Sequence, residues 1–128
     1  MTEAVSNAVE EIKAAFPDTP CVVIEDNNGG VVVILEEVSL GPLYSPETSW
    51  VGFGIGFQYP SSDVYPHFLR NDLSRTDGRP LGDGIQLNHT FQKRPAMQLS
   101  RKSNRWNPQV DTALIKLQKV LQWFMTHP

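Results

Sequence analysis

The segment WVGFGIGFQYP, residues 50–60, constrains the fold of this chain more than any other stretch. Bulky apolar residues alternate with glycines along it, and the apolar set is Val51, Phe53, Ile55 and Phe57. A period of two is the side-chain period of a β-strand, so we predict a strand with one apolar face. The opposite face carries only glycine, so another element must approach its backbone closely or leave it bare. We interpret that face as the packing surface of a helix in preference to a ligand.

Two amphipathic helices are predicted, one near each end of the sequence. The first starts after Thr2, whose hydroxyl can cap it, and stops before Pro17, which cannot continue a helix. Its apolar stripe at helical spacing consists of Val5, Ala8, Val9, Ile12, Ala15 and Phe16. The second begins near Asp111, which can cap it. Its apolar stripe consists of Leu114, Leu117, Val120, Leu121 and Phe124. We expect both helices to pack onto the sheet.

Three further strands complete the predicted sheet. The runs CVVIED and VVVILEEVSL flank residues 27–30, an Asn-Asn-Gly-Gly link of the kind that closes a hairpin. Residues 65–69 form a short fourth strand, and residues 71–84 are rich in turn formers. The segment IQLNHTF that follows has no assigned structure. The sequence therefore predicts one α+β domain over residues 1–128: an N-terminal helix, a four-stranded antiparallel meander, an irregular excursion and a C-terminal helix.

Length and composition place the chain in the globular class. It has 128 residues, of which 40% are hydrophobic and 20% are charged, which suits one domain with one core. No apolar run approaches the roughly 20 residues that a membrane helix needs. The N-terminal segment is acidic and amphipathic, unlike a secretory or mitochondrial signal. The single cysteine, Cys21, cannot form an internal disulfide, so we predict a cytoplasmic location.

The charges are distributed unevenly along the chain. Residues 1–48 contain nine acidic residues and one basic residue, whereas the remainder contains ten basic and five acidic residues. Between Asp83 and Asp111 there are five basic residues and no acidic one. This distribution indicates a basic face that meets an acidic partner. The N-terminal half of another copy of the chain is one candidate for that partner. A loop whose charges are merely solvated explains it equally well, and both interpretations stay open.

Two short motifs give the chain a resemblance to a known fold. Tyr59-Pro60 ends the glycine-rich strand, and Trp106-x-Pro108 precedes the last helix. With the helix–meander order, they resemble the ubiquitin-conjugating-enzyme fold (UBC fold) over roughly residues 3–124. The segment QLSRKSNRWNPQVDTAL, residues 98–114, is similar to the bacterial ubiquitin-conjugating-enzyme-like family E. The two C-terminal helices of the eukaryotic enzymes have no counterpart here.

The resemblance also locates the position of the family's catalytic thiol. In the conjugating enzymes an Ile-Cys-Leu segment lies eight residues before the tryptophan, and its thiolate carries a ubiquitin-like protein as a thioester. Here the corresponding triplet is Met97-Gln98-Leu99, so Gln98 replaces the nucleophile. An amide nitrogen is not a nucleophile at neutral pH. The family's His-Pro-Asn is also missing. Asn88-His89 lies at a comparable distance upstream, and we interpret Asn88 as a structural loop residue in preference to a catalytic remnant.

These features predict a catalytically inactive UBC-like binding module of a bacterial ubiquitin-like conjugation system. The resemblance implies a ubiquitin-like protein, an activating enzyme, or both as partners, and no cofactor. Besides the pseudo-active Gln98 and the remnant candidates Asn88 and His89, the predicted partner-binding residues are Ser100, Arg101, Lys102, Arg105 and Trp106. Trp106 is equally well explained as an anchor in the core, since tryptophan buries a large apolar area.

Two departures from the family pattern bear on these roles. The family's first helix offers basic residues to the activating enzyme, whereas this one carries Glu3, Glu10 and Glu11. An activating enzyme that docks there must present a basic surface. Lys102 stands where the bacterial group's Ser-Arg-His has its histidine, so this chain departs from the group's pattern at that position.

Two alternative functions belong to other classes. The first is an atypical active conjugating enzyme that uses Cys21, although a free cysteine beside apolar strand residues is usually buried and inert. The second is a stand-alone domain that binds protein or nucleic acid. Five bases without interleaved aromatic residues are a weak nucleic-acid signal in a chain of net charge -3. The three histidines are scattered without metal-ligand spacing, so no metal site is predicted.

Overall fold

The computed structural model describes all 128 residues and has two helices and eight strands. In chain order the elements are α1 (Glu3–Ala15), β1 (Cys21–Glu25), β2 (Val31–Ser39), β3 (Tyr44–Ser45), β4 (Thr48–Ile55), β5 (His67–Arg70), β6 (Ser74–Arg75), β7 (Ile85–Phe91), β8 (Arg94–Leu99) and α2 (Ala113–Thr126). The predicted α+β class and the two terminal helices are confirmed. Neither helix has the length and apolar character needed to cross a membrane.

The main sheet has six antiparallel strands in the order β1-β2-β4-β5-β8-β7. Its first four strands form the predicted meander. The prediction of only four strands is wrong, because the hairpin β7–β8 joins the sheet beside β5. The excursion before that hairpin holds only the two-residue strand β6, which pairs with β3 in a second small sheet.

The core lies between one face of the main sheet and the two helices. Alternate residues of β2, β4, β5 and β8 point to this face and join buried side chains of both helices in one cluster of 24 residues. The largest fully buried apolar side chains include Tyr44, Phe53, Met97, Leu117 and Phe124. Burial of each such side chain contributes roughly 1.5–3 kcal/mol to the stability of the fold. Because buried residues of both helices belong to the same cluster as those of the sheet, the predicted packing of both helices onto the sheet is confirmed.

The ends of α1 follow local capping rules. The Thr2 hydroxyl accepts a 3.2 Å hydrogen bond from the backbone N–H of Val5, which confirms the predicted cap. The buried stripe is shorter than predicted. It consists of Val5, Ala8, Val9 and Ile12, while Ala15 is exposed and Phe16 lies half-buried just beyond the helix.

The start of α2 differs by two residues from the prediction. Thr112, not Asp111, is the cap, and its hydroxyl accepts a 3.1 Å hydrogen bond from Ile115 N. The Asp111 carboxylate instead accepts a hydrogen bond from Asn107 N and stabilises the turn before the helix. The predicted stripe is confirmed at Leu117 and its successors, whereas Leu114 is only half-buried.

The prediction that a helix covers the glycine face of β4 is wrong, because an aromatic ring covers this face at Gly52 and Gly54 is exposed. A Cβ atom added to Gly52 would collide with the ring of Phe91, which belongs to the hairpin β7–β8. Phe91 also stacks on Phe68 with ring centroids 4.6 Å apart, and on Trp50 at 6.0 Å. The tip of the hairpin therefore folds over the outer face of the sheet, and only a residue without a side chain fits beneath it.

Candidate functional site

The two motifs behind the resemblance meet at the start of α2. Trp106 Nε1 donates a 2.7 Å hydrogen bond to the carbonyl oxygen of Pro60, and the rings of Trp106 and Tyr59 lie 6.4 Å apart. The Tyr59 hydroxyl accepts a 3.0 Å hydrogen bond from the backbone N–H of Ala113, the first residue of α2. Burial raises the pKa of this hydroxyl, so it stays protonated. Trp106 is half-buried against the core and serves as an anchor for the loop before α2.

A buried ionic cluster holds the same loop from its other end. Lys116 Nζ lies 3.0 Å from each carboxylate oxygen of Asp63 and donates a 2.6 Å hydrogen bond to Ser103 Oγ. Ser103 N donates to Asp63 Oδ2 at 2.7 Å. The side chains of Lys116 and Asp63 are only 6% and 15% exposed. We name Asp63, Ser103 and Lys116 the ionic cluster.

The charge state of the cluster follows from its contacts. Burial acts to raise the pKa of Asp63, but the hydrogen bonds from Ser103 and Lys116 and the charge of Lys116 outweigh it, so the pKa is lowered. The carboxylate is thus held ionised opposite the ammonium group. No short-range sequence pattern indicates this cluster, although the helical spacing of position 116 from Ala113 and Val120 predicts that it is buried.

His67 is a second polar residue that the sequence analysis missed. It is fully buried on the inner face of β5, beside Phe53 at a ring-centroid distance of 5.2 Å. Neither ring nitrogen has a hydrogen-bond partner. Burial lowers the pKa of His67 to about 3, and the charge of Lys116 acts in the same direction. The alternation of the short strand predicts the position, since residues 67 and 69 must share a face.

Gln98 lies within β8, paired with Phe68 of β5 and Gln86 of β7. Its Nε2 donates a 3.0 Å hydrogen bond to Ser100 Oγ, and that hydroxyl donates a 2.6 Å hydrogen bond to Gln86 Oε1. The side chain at the expected thiol position is therefore part of a polar chain along the strands. Its contacts include no histidine, lysine or carboxylate that could act as a base.

Asn88 and His89 lie on the edge strand β7, and both are exposed. Asn88 has φ 66° and lies where the pairing of β7 with β8 shifts register. Its backbone N–H donates to Asn71 Oδ1 at 2.8 Å, and its own Oδ1 accepts from Asn71 Nδ2 at 3.2 Å. Asn88 thus stabilises a β-bulge, so the prediction of a loop is wrong while the structural role is supported. His89 pairs with Ala96, and not with Gln98.

The basic loop follows β8 and is exposed at Arg101, Lys102 and Arg105. None of the three forms an ion pair with a carboxylate. The Arg101 guanidinium carbon lies 4.4 Å from the ring centroid of Trp123 on α2. This cation–π contact orients Arg101, and it is the only one of the three bases with a defined side-chain contact.

Cys21 lies far from all of these residues. It belongs to β1, one edge of the sheet, whereas Gln98 belongs to β8, and the strands β2, β4 and β5 lie between them. Four strand spacings correspond to about 19 Å. Partial burial raises the pKa of the Cys21 thiol, and the opposing effect of Lys13 is smaller. A thiol with a raised pKa is less ionised and is a poorer nucleophile at neutral pH.

The residues singled out above form a surface that is organised by hydrogen bonds, one ion pair and one cation–π contact. No three His, Cys, Asp or Glu side chains converge to hold a metal ion. Two motif residues, an ionic cluster and a cation–π contact fix the loop of residues 100–112 against the sheet and α2. Comparisons of the chain with models of protein families, with characterised proteins and with solved structures returned no match.

Proposed function

We propose that this chain is a catalytically inactive, protein-binding domain with a UBC-type fold that acts in a bacterial ubiquitin-like conjugation system of the cytoplasm. The observation that carries the proposal is the hydrogen bond from Trp106 to Pro60, together with that from Ala113 to the Tyr59 hydroxyl. It brings together the two motifs on which the resemblance rests. The order of α1 and the four-stranded meander, with Tyr59-Pro60 between its third and fourth strands and Trp106 after it, agrees with the same fold.

The surroundings of Gln98 support a role without catalysis. A conjugating enzyme needs a thiolate that accepts the ubiquitin-like protein, and an amide cannot supply it. The Gln98 side chain donates a hydrogen bond to the neutral hydroxyl of Ser100, which in turn donates one to Gln86. Cys21 lies toward the opposite edge of the sheet, with a thiol whose pKa is raised by burial. The geometry therefore favours binding over transfer.

The surface around the basic loop is the proposed contact for the partner. Arg101, Lys102 and Arg105 are exposed and form no ion pair, Ser100 lies at the start of the loop, and Gln98 lies near the end of the strand before it. Exposed bases of one sign accelerate association with an acidic surface and contribute modestly to affinity. The proposed partners are a ubiquitin-like protein, an activating enzyme, or both. Since Glu3, Glu10 and Glu11 are exposed on α1, an activating enzyme that contacts this helix needs a basic surface.

The test uses the ubiquitin-like proteins and activating enzymes encoded by the same organism. We expect isothermal titration calorimetry to detect a complex with one of them. The variant Arg101→Ala/Lys102→Ala/Arg105→Ala should weaken that complex by about tenfold and flatten its dependence on salt. A far-ultraviolet circular dichroism spectrum unchanged from wild type would show that the variant is folded. No complex with any of these proteins would contradict the proposal.

A second assay separates binding from catalysis. Incubation with activating enzyme, ATP and ubiquitin-like protein should give no adduct that dithiothreitol releases. An adduct that appears with the wild-type chain and is lost in Cys21→Ala would overturn the inactive assignment and establish the alternative that uses Cys21.

A further inference from the structure

A groove runs along the exposed side of α2, beside the basic loop. It consists of two hollows of about 150 Å³ and 510 Å³ that share Lys119 and Trp123 as lining residues. The smaller hollow lies between the loop and the helix. The larger one continues along the helix past Gln118 and Gln122. We name these two hollows together the α2 groove.

The smaller hollow is lined by positive charge. Arg101, Lys102, Lys116 and Lys119 line it, and no acidic residue does. Lys116 is neutralised by Asp63. Arg101 and Lys102 have no ionic partner, and Lys119 lies 4.0 Å from Asp111 with its side chain 71% exposed. Two cations without an ionic partner, Arg101 and Lys102, and the loosely paired Lys119 therefore line one small hollow, an arrangement that attracts carboxylates.

The fold fixes the backbone of the basic loop and the side chain of one of these cations, Arg101. Ser103, in the middle of the loop, is held to the ionic cluster through its backbone N–H and its hydroxyl. Arg101 packs on Trp123, with the guanidinium carbon 4.4 Å from the ring centroid. A ligand that binds here meets one charge, that of Arg101, already held in place, so less side-chain entropy is lost at that residue on binding.

The aromatic residue of the groove, Trp123, already packs against other side chains of the chain. The Trp123 ring stacks on His127 with centroids 4.5 Å apart and also contacts Arg101. Proteins that bind single-stranded nucleic acid need free aromatic faces on which bases stack. The net charge of -3 and the acidic N-terminal half also repel a long polyanion. The groove therefore favours a short acidic ligand over a nucleic acid.

The larger hollow adds an apolar contact and hydrogen-bonding groups. Ile115 is 37% exposed at its wall, and the amides of Gln118 and Gln122 line it. An extended peptide can place an apolar side chain on Ile115, its backbone near the glutamines, and its carboxylates near the cations. We propose that the α2 groove binds an acidic peptide segment of a partner protein. This inference rests on the charge of the groove and not on the UBC-type function, so each can fail alone.

The first experiment titrates the full chain with a fluorescein-labelled oligoglutamate peptide and follows fluorescence anisotropy. The variant Lys102→Gln/Lys119→Gln removes two cations of the groove that the ionic cluster does not need. It should weaken binding by about three- to tenfold. The matched control Lys13→Gln/Lys93→Gln changes net charge equally on exposed surfaces elsewhere, and should weaken binding by less than about twofold. An equal loss in both variants, or no binding of the peptide, would overturn the proposal.

The second experiment locates the ligand and tests the nucleic-acid rival. In ¹H–¹⁵N spectra the indole N–H signal of Trp123, assigned with Trp123→Phe, should shift on addition of the peptide, while the signals of Trp50 and Trp106 stay fixed. Shifts confined to Trp50 or Trp106 would place the ligand elsewhere and refute the groove. An oligothymidylate of equal charge should bind more weakly than the peptide, and tighter binding would establish the nucleic-acid alternative instead.

Discussion

Lys116 Nζ lies 3.0 Å from both carboxylate oxygens of Asp63, although the two residues are 53 positions apart in the chain. Their contact joins the segment between β4 and β5 to α2. Ser103 completes the cluster and brings the basic loop to the same point. One buried ion pair thus connects three segments, which the hydrogen bonds from Trp106 to Pro60 and from Ala113 to Tyr59 also join.

Removal of one member of this pair should be costly. We expect Asp63→Ala to lower the free energy of unfolding by about 3–5 kcal/mol, because it leaves the Lys116 ammonium buried without its counter-ion. Urea denaturation at neutral pH measures the loss. Glu10→Ala is the control, since Glu10 and Lys13 form an exposed pair at 3.9 Å, and its effect should stay below about 0.5 kcal/mol. Equal effects of the two variants would show that the cluster is not a structural anchor.

His67 should make the protein sensitive to mild acid. Its ordinary pKa is 6.5 and burial lowers the pKa to about 3, so between these values the unfolded chain binds a proton that the folded chain does not. Stability should therefore fall as the pH drops below about 6.5, with a slope approaching 1.4 kcal/mol per pH unit. Asp63, with a lowered pKa, contributes in the same direction only at more acidic pH.

The variant His67→Leu isolates this contribution. It removes the titrating group and the two unpartnered nitrogens, so the slope of stability against pH should flatten between about pH 5 and 6.5. Urea denaturation midpoints at several pH values within this window provide the measurement. A slope equal to that of the wild type would show that His67 does not stay neutral in the folded chain.

Gly52 should be intolerant of any side chain. We expect Gly52→Ala to destabilise the fold by about 1–3 kcal/mol, because its Cβ would collide with the ring of Phe91. Gly54→Ala is a matched control on the same strand, since its Cβ would meet nothing closer than 3.8 Å. Thermal unfolding of the two variants measures the difference. In a chain that already carries Phe91→Ala, the ring is gone, so Gly52→Ala should lower the stability by less than it does in the wild-type chain.

The contact between Tyr59-Pro60 and Trp106 should contribute to the free energy of unfolding through its hydrogen bonds. Trp106→Phe leaves the Pro60 carbonyl without its donor and removes part of a packed ring, for an expected loss of about 1–3 kcal/mol. Tyr59→Phe removes only the acceptor of Ala113 N and should cost about 1 kcal/mol. Chemical denaturation measures both. A Trp106→Phe variant as stable as the wild type would mean that the motif contact does not fix the loop.

The parts of the fold that the sequence predicted are those with local signals. The stripes of α1 and α2, the Thr2 cap and the meander all depend on residues close in the chain. The hairpin β7–β8 lacked such signals. Its strand β7 is almost wholly exposed, and the apolar alternation that starts at Ile85 and Leu87 is interrupted at His89. In its turn, Gln92 and Lys93 have φ 49° and 65°. Glycine or asparagine usually occupies such positions, so the sequence Gln-Lys does not predict this turn.

The candidate site was only partly predictable for the same reason. The spacing to Trp106 identified Gln98, and the run of bases identified the exposed loop. The ionic cluster was not predicted, because Asp63 lies 40 positions from Ser103 and 53 positions from Lys116 in the chain. No short-range sequence pattern links residues at such separations. The Phe91 cover on Gly52 likewise depends on how far the hairpin tip folds back, which strand alternation does not specify.

The bulge at Asn88 has a consequence for self-association. An outer strand normally offers unpaired N–H and C=O groups on which another chain can add a strand and start a fibril. In β7 the residue at φ 66° breaks the straight row, and its N–H is already bonded to Asn71. A foreign strand would find no continuous ladder to extend. This edge of the molecule is thereby protected against amyloid-like growth, and Asn88→Val, which disfavours the left-handed conformation, should increase thioflavin T binding on prolonged incubation.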